Sequence, residues 1–413
     1  MTKKICVIAL ITGLAMAEAD DWNQWGGPNR NFHVSSIGLN VSWGPDGPER
    51  LWSRALGEGY SSIVASSDRL FTMYRDDETE VVVSLDAATG ETRWEHRYNA
   101  SLKEDMNYGT WLRQGGAGPY STPLLLSGVL YAVGVTGKFH AFDASSGEIL
   151  WSHDLDEMFD MSGYSGFAPS PIAYGGNAIL PVGGRGQAVV AFDLESGAVA
   201  WKNQDFRLAP ASPLLIDVDG EEQLVVFTPD NVVGLDPEDG ALLWSYPHAT
   251  NYGLNISTPV WGEGNLLFSS SAYNGGSRVI RLTREGGKTT AEELWSTNRF
   301  RLHFGNAIRV GELIYGTSGD FGPAFFIAVN IHTGEEVWRE RTFGRSQMVY
   351  ADGMFVIVDE GGDLALAKPT AEGLDVLARA ELLTENAWTP PTLVGTRLYL
   401  RDRKNVVAVE LVK

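Results

Sequence analysis

The side chains best suited to hold a ligand are aromatic, Arg, Asn and His residues in loops between hydrophobic runs. They are Tyr108, Trp111, Arg113, Tyr164, Tyr252, Asn255, His303 and Trp388. Aromatic rings stack on planar or apolar groups, while Arg and Asn supply directional hydrogen bonds. If their loops meet at one mouth, the set predicts a binding site for a protein partner or a small ligand.

Oxygen donors suited to calcium form a second candidate set. It consists of Asn255, Asp320, Asp359 and Glu360. Residues 217–222 resemble the start of a calcium loop, but Thr228 stands where that loop needs Glu, which favours an ordinary hairpin. No nucleophile elbow, phosphate-binding loop or zinc-protease helix occurs in a suitable context. These patterns favour binding over catalysis and leave an enzyme as the alternative.

Charge and the first residues restrict the cellular setting. A net charge of −20 argues against nucleic acid and anionic membranes as partners. Lys3 and Lys4 precede an apolar run over 5–16, and a small-x-small site ends at Ala19, which predicts a signal peptide over 1–19. The run is too short to span a membrane. Cys6, the only cysteine, would be removed with it, so no cysteine chemistry is expected. We expect an exported bacterial protein, either periplasmic or secreted.

The elements that must position these loops come from a repeat. An Asp or Asn begins a turn, Gly follows four residues later, and Trp follows eight residues later, at positions 86–94, 143–151, 193–201, 236–244 and 330–338. A stretched copy ends at Trp295. Counting Trp52, successive Trp residues lie 42, 57, 50, 43, 51 and 43 residues apart. Such a period indicates a radial or stacked repeat fold. We interpret the repeat Trp residues as scaffold: Trp52, Trp94, Trp151, Trp201, Trp244, Trp295 and Trp338.

Four short strands per unit predict an all-β propeller of four-stranded antiparallel blades. Unit two shows them at 120–126, 129–135, 138–144 and 148–155, with Gly-containing hairpin turns between the first three. Eight inner strands are expected to begin near Ser61, Ser121, Ser170, Ser212, Ser257, Asn306, Gln347 and Thr389. Seven blades is the alternative, since unit seven lacks the turn signature and the Trp.

The predicted domains are an extended arm over 20–48, pinned by Trp22 and Trp25, and a propeller over 49–413. The last unit supplies three strands, and residues 50–56 supply a strand without a blade. Pairing the two would close the ring and remove both sheet edges, which is consistent with a monomer.

The repeat, together with the small-Pro starts of the inner strands at 121–123, 170–171, 212–213 and 257–259, resembles the pyrroloquinoline-quinone (PQQ) repeat superfamily over 50–413. One branch, the quinoprotein alcohol dehydrogenases, implies PQQ and calcium on the central axis. Another, the BamB-type outer-membrane assembly lipoproteins, implies a scaffold without a cofactor. The chain lacks the adjacent cysteines of the first branch and the lipid-attached cysteine of the second.

The leading hypothesis is therefore an exported, non-catalytic scaffold that binds a protein or small ligand at its funnel face, with no cofactor. A PQQ-dependent dehydrogenase is the alternative, with PQQ and with calcium held by Asn255, Asp320, Asp359 and Glu360. A carbohydrate-binding or lyase-type propeller that uses the mouth aromatics and Arg113 is a further alternative.

Overall fold

The computed structural model describes residues 21–36, 38–44, 46–102, 116–159, 161, 166–320 and 322–412. Within these ranges, 32 strands form eight four-stranded antiparallel sheets. The sheets are the blades of an eight-bladed β-propeller. The predicted fold class is confirmed, and the seven-bladed alternative is wrong.

The strands are numbered along the chain and grouped here by blade. They are β1 (Glu49–Ala55); in blade 1, β2 (Val64–Ser66), β3 (Arg69–Asp76), β4 (Thr79–Asp86) and β5 (Thr92–Asn99); in blade 2, β6 (Leu124–Leu126), β7 (Val129–Val133), β8 (Lys138–Asp143) and β9 (Ile149–Asp154); in blade 3, β10 (Ile172–Tyr174), β11 (Asn177–Pro181), β12 (Val189–Asp193) and β13 (Val199–Asn203); and in blade 4, β14 (Leu214–Val218), β15 (Glu221–Phe227), β16 (Asn231–Leu235) and β17 (Leu242–Pro247). They continue in blade 5 with β18 (Val260–Gly262), β19 (Leu266–Ser271), β20 (Gly276–Glu285) and β21 (Lys288–Thr297); in blade 6 with β22 (Ile308–Val310), β23 (Leu313–Ser318), β24 (Phe325–Asn330) and β25 (Glu336–Glu340); in blade 7 with β26 (Ser346–Ala351), β27 (Met354–Asp359), β28 (Asp363–Pro369) and β29 (Leu374–Glu381); and in blade 8 with β30 (Thr392–Val394), β31 (Arg397–Arg401), β32 (Asn405–Glu410) and the returning β1. The described residues contain one short helix, α1 (Leu155–Met158), whose N-terminus is capped by Asp154.

Most inner strands begin two or three residues later than the sequence predicts. The reason is that the Ser and Thr residues at the predicted starts bond sideways to the next blade rather than within their own sheet. Thr122 Oγ1 accepts the Ser62 N–H at 3.2 Å, and Ser170 Oγ accepts the Thr122 N–H at 2.9 Å. Ser212 Oγ in turn accepts the Ser170 N–H at 2.9 Å. These buried bonds join blades 1 to 4 around the central axis.

The turn-and-Trp repeat joins each blade to the next at the outer side. In blade 2, the Asp143 carboxylate accepts the N–H groups of Ser145 and Ser146, which closes the turn. Gly147 has φ +76°, and a Cβ on it would lie 2.6 Å from the Trp94 ring of the preceding blade. The Trp94 indole N–H donates to Ala144 O at 2.9 Å. The same Gly-to-Trp contact occurs between Gly90 and Trp52, Gly197 and Trp151, Gly240 and Trp201, and Gly334 and Trp295.

Two departures from the repeat have visible structural causes. Blade 5 replaces the tight turn with the long β20–β21 hairpin, so Trp244 donates instead to Gln223 Oε1, and Gln223 Nε2 reaches Thr289 of blade 5. Blade 7 has no repeat Trp because its neighbour, blade 8, has no hairpin turn to receive one. The third and fourth strands of blade 8, β32 and β1, belong to distant parts of the chain.

The ring closes where β1 pairs with β32, from Glu49 opposite Glu410 to Ala55 opposite Asn405. Arg401, on β31, is 1% exposed and ties this closing blade to blade 1. Its guanidinium donates to Ser61 O, Thr72 Oγ1 and Met73 O at 2.6 to 2.9 Å. The closure predicted from the sequence is therefore present.

The arm crosses the end of the propeller where the inner strands finish. Trp22 pairs with Ala65 of blade 1, and the Val34 N–H donates to Tyr350 O of blade 7 at 3.1 Å. Trp22 and Phe32 are buried, and the boundaries of the arm stay a prediction. Residues 1–20 lie outside the described residues, so the signal peptide stays a prediction.

Candidate functional site

We call the end of the propeller opposite the arm the funnel face. It is formed by the connections between blades and by the turns between the second and third strands of each blade. All inner strands start at this face, so side chains just before those starts converge on the central axis. The topology alone therefore brings widely separated residues together.

Seven rings form a continuous arc around this mouth, which we call the aromatic arc. In order they are Tyr252, Tyr273, His303, Phe304, Trp388, Tyr60 and Tyr120. Successive ring centroids lie 5.2, 5.0, 4.6, 4.5, 5.3 and 6.3 Å apart. Tyr60 and Tyr120 are nearly parallel, at 4°. Tyr252, at one end of the arc, is 65% exposed, so the arc runs from solvent towards the axis.

Gln347 fixes the backbone under the middle of the arc. It is 2% exposed, and its Nε2 donates to the carbonyl oxygens of Phe304 and Trp388, both at 2.9 Å. Blade 7 thus holds the aromatic residues of blades 6 and 8 in place. Rings held in this way are ordered before a partner arrives, which lowers the entropic cost of binding.

Two ion pairs lie beside the arc and form its charged border. The Arg345 guanidinium lies 3.2 Å from Glu360 Oε1 and 5.9 Å from the Phe304 ring centroid. Arg301 lies 3.4 Å from Asp320. All four side chains are partly exposed. The mouth therefore combines an aromatic centre with a charged border.

His303 is neutral at physiological pH. Burial, with a smaller contribution from Arg345, lowers the pKa of His303 to about 4. Its Nε2 lies 2.5 Å from the hydroxyl oxygen of Tyr273, and burial raises the pKa of Tyr273 to about 12. Neither group is poised for proton transfer near neutral pH. Their geometry is that of a packed, hydrogen-bonded pair within the arc.

The structure brings together only some of the predicted site residues. Tyr252, His303 and Trp388 belong to the aromatic arc, and their role in binding stays a prediction. Four others of this set lie outside the described residues, namely Tyr108, Trp111, Arg113 and Tyr164.

Asn255 does not reach the mouth. It is fully buried; its Nδ2 donates to Thr228 O and His248 O, and its Oδ1 accepts the Ser271 hydroxyl. An Asn with its amide committed in this way is part of the scaffold of blades 4 and 5. The expectation that it faces a ligand is not supported by this position.

The remaining calcium candidates take part in separate hydrogen bonds and ion pairs. The Asp359 carboxylate accepts backbone N–H groups of its own turn from Gly361 and Asp363. Glu360 and Asp320 are in the two flanking ion pairs. Across the described ranges, no three or more His, Cys, Asp or Glu residues are grouped as a metal site would need.

Four members of the arc were missed from the sequence: Tyr60, Tyr120, Tyr273 and Phe304. A signal for three of them was present. Tyr60 and Tyr120 directly precede Ser61 and Ser121, and Phe304 comes two residues before Asn306. Aligning the predicted inner-strand starts would have placed these rings at the axis.

Comparison with known proteins places the chain in a family. A family model described as "Outer membrane protein assembly factor BamB" matches residues 42–202 and 78–340, which together span more than half of the 413 residues. The chain belongs to this family. It is therefore also a member of the wider PQQ-repeat β-propeller superfamily, as the resemblance implied.

Individual relatives come from both branches of that superfamily. BamB of Yersinia pestis is 22% identical over 292 residues, covering 66% of this chain and 69% of that protein. Quinoprotein alcohol dehydrogenase PedH of Pseudomonas putida is 26% identical over 191 residues, which is 44% of this chain. The matched region spans only 29% of the dehydrogenase.

Solved structures show the fold without separating the branches. The crystal structure of BamB from Moraxella catarrhalis superposes with a TM-score of 0.60 at 17% identity, covering 88% of this chain and 99% of that one. The quinohemoprotein alcohol dehydrogenase from Comamonas testosteroni gives 0.63 at 14% identity, covering 95% and 81%. Similarity at this level supports the propeller architecture and nothing finer. No helix in the described residues is long and apolar enough to cross a membrane.

A cavity on the propeller axis, called the axial cavity, lies beneath the arc, and its described lining does not fit PQQ. PQQ carries three carboxylates, and its calcium needs several oxygen ligands, usually including carboxylates. Among the described residues, those that line the cavity are aromatic, aliphatic, Ser, Thr, Asn and Gly, with no Lys, Arg, Asp or Glu. A trianion placed there would lose its hydration without gaining a counter-charge.

Proposed function

We propose that the protein is a non-catalytic scaffold of the BamB family that holds another protein at its funnel face. The observation that carries the proposal is the aromatic arc. Aromatic residues are enriched at the centres of protein interfaces and charged residues at their rims. The arc, bordered by the Arg345–Glu360 and Arg301–Asp320 pairs, has this arrangement.

The family supports the same function. Its description is that of an outer membrane protein assembly factor, which implies work on other proteins in the bacterial envelope. The charged start and apolar run before Ala19 support export to the periplasm or beyond. The closed ring supports a monomer, because the pairing of β1 with β32 leaves no incomplete blade for a second copy to complete. The lack of charged side chains in the described lining of the axial cavity supports a scaffold without PQQ.

Site-directed photo-crosslinking in the native host tests the proposal. A photo-reactive phenylalanine analogue replaces Tyr252, which is 65% exposed on the funnel face. The control position is Leu242, 53% exposed at the start of β17, at the opposite end of the blade. We expect a discrete protein adduct from position 252, weakened by Trp388→Ala, and none from position 242.

Two results would overturn the proposal. One is an adduct that forms equally at positions 252 and 242, or at neither of them. The other is stoichiometric binding of PQQ and calcium by the purified protein, with dye reduction by alcohols, which would establish the dehydrogenase alternative.

A further inference from the structure

The propeller axis holds a cavity of about 360 Å³ directly beneath the aromatic arc. Tyr60, Tyr120, Phe304 and Trp388 line it at the funnel side. At the other end it is lined by two rings of the arm, Trp25 and Phe32, which meet edge to face at 5.4 Å. The cavity therefore has a floor that is built by a separate segment of the chain.

A hydrogen bond holds this floor in place. The Trp25 indole N–H donates to Thr258 Oγ1 of blade 5 at 2.9 Å. Phe32 is 4% exposed, and its backbone pairs with Tyr350 of blade 7. We call this cavity, lined by the arm at one end and by the aromatic arc at the other, the pocket.

Polar side chains from blades 3 to 6 and the hydroxyls of three tyrosines of the arc line the pocket. Ser170 and Ser212, from blades 3 and 4, line it across the axis from Trp388 of blade 8. Each hydroxyl oxygen accepts a backbone N–H from the preceding blade, at 2.9 Å in both cases. A hydroxyl that accepts in this way keeps its own hydrogen to donate. An occupant can therefore stack on the arc and present one acceptor to these hydroxyls.

The size and the charge of the pocket further restrict the kind of group that can occupy it. Ligand pockets range from about 300 to 1,000 Å³, so this one lies at the small end and suits a single ring system. Its described lining carries no charged side chain, so a charged group would be desolvated without a partner.

We propose that this pocket receives one uncharged aromatic side chain of the protein bound at the funnel face. The inference rests on the proposed function. The pocket is continuous with the arc and its charged border, and buried aromatic anchors inside a polar rim are the energetic centres of protein interfaces. The anchor stacks on Trp388 and Tyr60, reaches the floor at Trp25, and directs a carbonyl or hydroxyl oxygen at Ser170 and Ser212.

Capped amino acids test the pocket without the partner. N-acetyl-L-tryptophanamide and N-acetyl-L-phenylalaninamide are titrated into the purified full-length protein by calorimetry. N-acetyl-L-lysinamide, N-acetyl-L-glutamate and free indole are titrated in parallel. We expect the two aromatic amides to bind at least about tenfold more tightly than the charged compounds and than indole.

A pocket-filling variant tests the location. Ala168 lines the pocket, so Ala168→Phe should weaken binding of the aromatic amides at least about tenfold. Ala88→Phe makes the same exchange on an exposed turn and should leave binding within about twofold. Melting curves of both variants should show that each is folded.

Binding of indole without the amides would overturn the proposal, because the pocket would then serve a free small molecule. Failure of both amides to bind, or equal binding by Ala168→Phe, would overturn it as well. A crosslinked adduct from position 252 in those cases would leave the proposed function standing.

Discussion

Glu80 is a fully buried carboxylate between blades 1 and 2. It accepts the Val135 N–H and the Tyr98 hydroxyl, and Arg75 lies 3.8 Å away. Burial outweighs these interactions and raises the pKa of Glu80 to about 7. The folded protein therefore binds this proton more tightly than the unfolded chain, for which the ordinary value is 4.5.

The sign of the pH effect follows from that difference. Between pH 4.5 and pH 7 the folded state keeps a proton that the unfolded state has released, so the free energy of unfolding falls as pH rises. The loss is roughly 3 kcal/mol across this window. Glu80→Gln keeps the acceptor for Val135 and removes the titration. We expect the variant to gain stability relative to the parent as pH rises, measured by chemical denaturation in steps from pH 4.5 to 8.

Buried histidines have the opposite effect, because they make the free energy of unfolding rise with pH. The contribution of Glu80 is therefore measured as the difference between variant and parent. Burial lowers the pKa of His140 to about 4 and of His248 to about 3, which costs stability below their ordinary value of 6.5. Glu80→Gln leaves both in place. Glu78→Gln makes the same exchange at an exposed carboxylate on the same hairpin and serves as the control. A Glu80→Gln profile parallel to the parent would contradict the assignment.

At the scale of the element, the repeat turn combines a backbone requirement with a packing requirement. Gly147 and Gly128 both have positive φ, +76° and +80°. A Cβ on Gly147 would lie 2.6 Å from the Trp94 ring, whereas nothing lies within 4 Å of one on Gly128. The pair separates the cost of the backbone conformation from the cost of the clash.

We expect Gly128→Ala to lower the free energy of unfolding by about 1–2 kcal/mol, the cost of a left-handed non-Gly residue. Gly147→Ala should cost about 1–3 kcal/mol more, because Trp94 must also move. Urea denaturation of both variants measures the difference. Equal losses would show that the contact between the turn and Trp94 contributes nothing.

The sequence identified these elements better than it identified their contacts. Asp, Gly and Trp at fixed spacing predict a turn and a strand, since each residue type suits one local task. That Gly147 packs on the Trp of the preceding blade depends on the ring, and local spacing does not contain that information. The missing Trp of unit seven likewise has its cause in the strands of blade 8.

At the scale of the molecule, one buried cation spans the closure. Burial lowers the pKa of Arg401 to about 9, and its hydrogen bonds to Ser61, Thr72 and Met73 hold blade 1 against blade 8. Arg401→Met should lower the free energy of unfolding by about 1–3 kcal/mol, because buried acceptors lose their donor. Arg397→Met, on the same strand, breaks an exposed pair with Glu410 and should cost less than about 1 kcal/mol. Similar losses in thermal and chemical denaturation would argue against a role in closure.

The ring and its closure were predictable because strand count and hydrophobic pattern leave few alternatives. The candidate functional site was less predictable from the sequence. Tyr252, His303 and Trp388 were selected from loops that do meet, but Asn255 is indistinguishable in sequence from an exposed Asn. The path of the arm under the axis depends on single contacts, such as Trp25 with Thr258, that have no sequence period.

The pairing of β1 with β32 also constrains how the protein is made. Glu49 pairs with Glu410, so β1 leaves the ribosome long before its partner strand. Until the last strand is delivered, two unpaired sheet edges remain exposed, and such edges favour association with other chains. Assembly of this ring therefore favours shielding of β1 until synthesis is complete, and a chain that stops before β32 retains an open edge that associates with neighbouring chains.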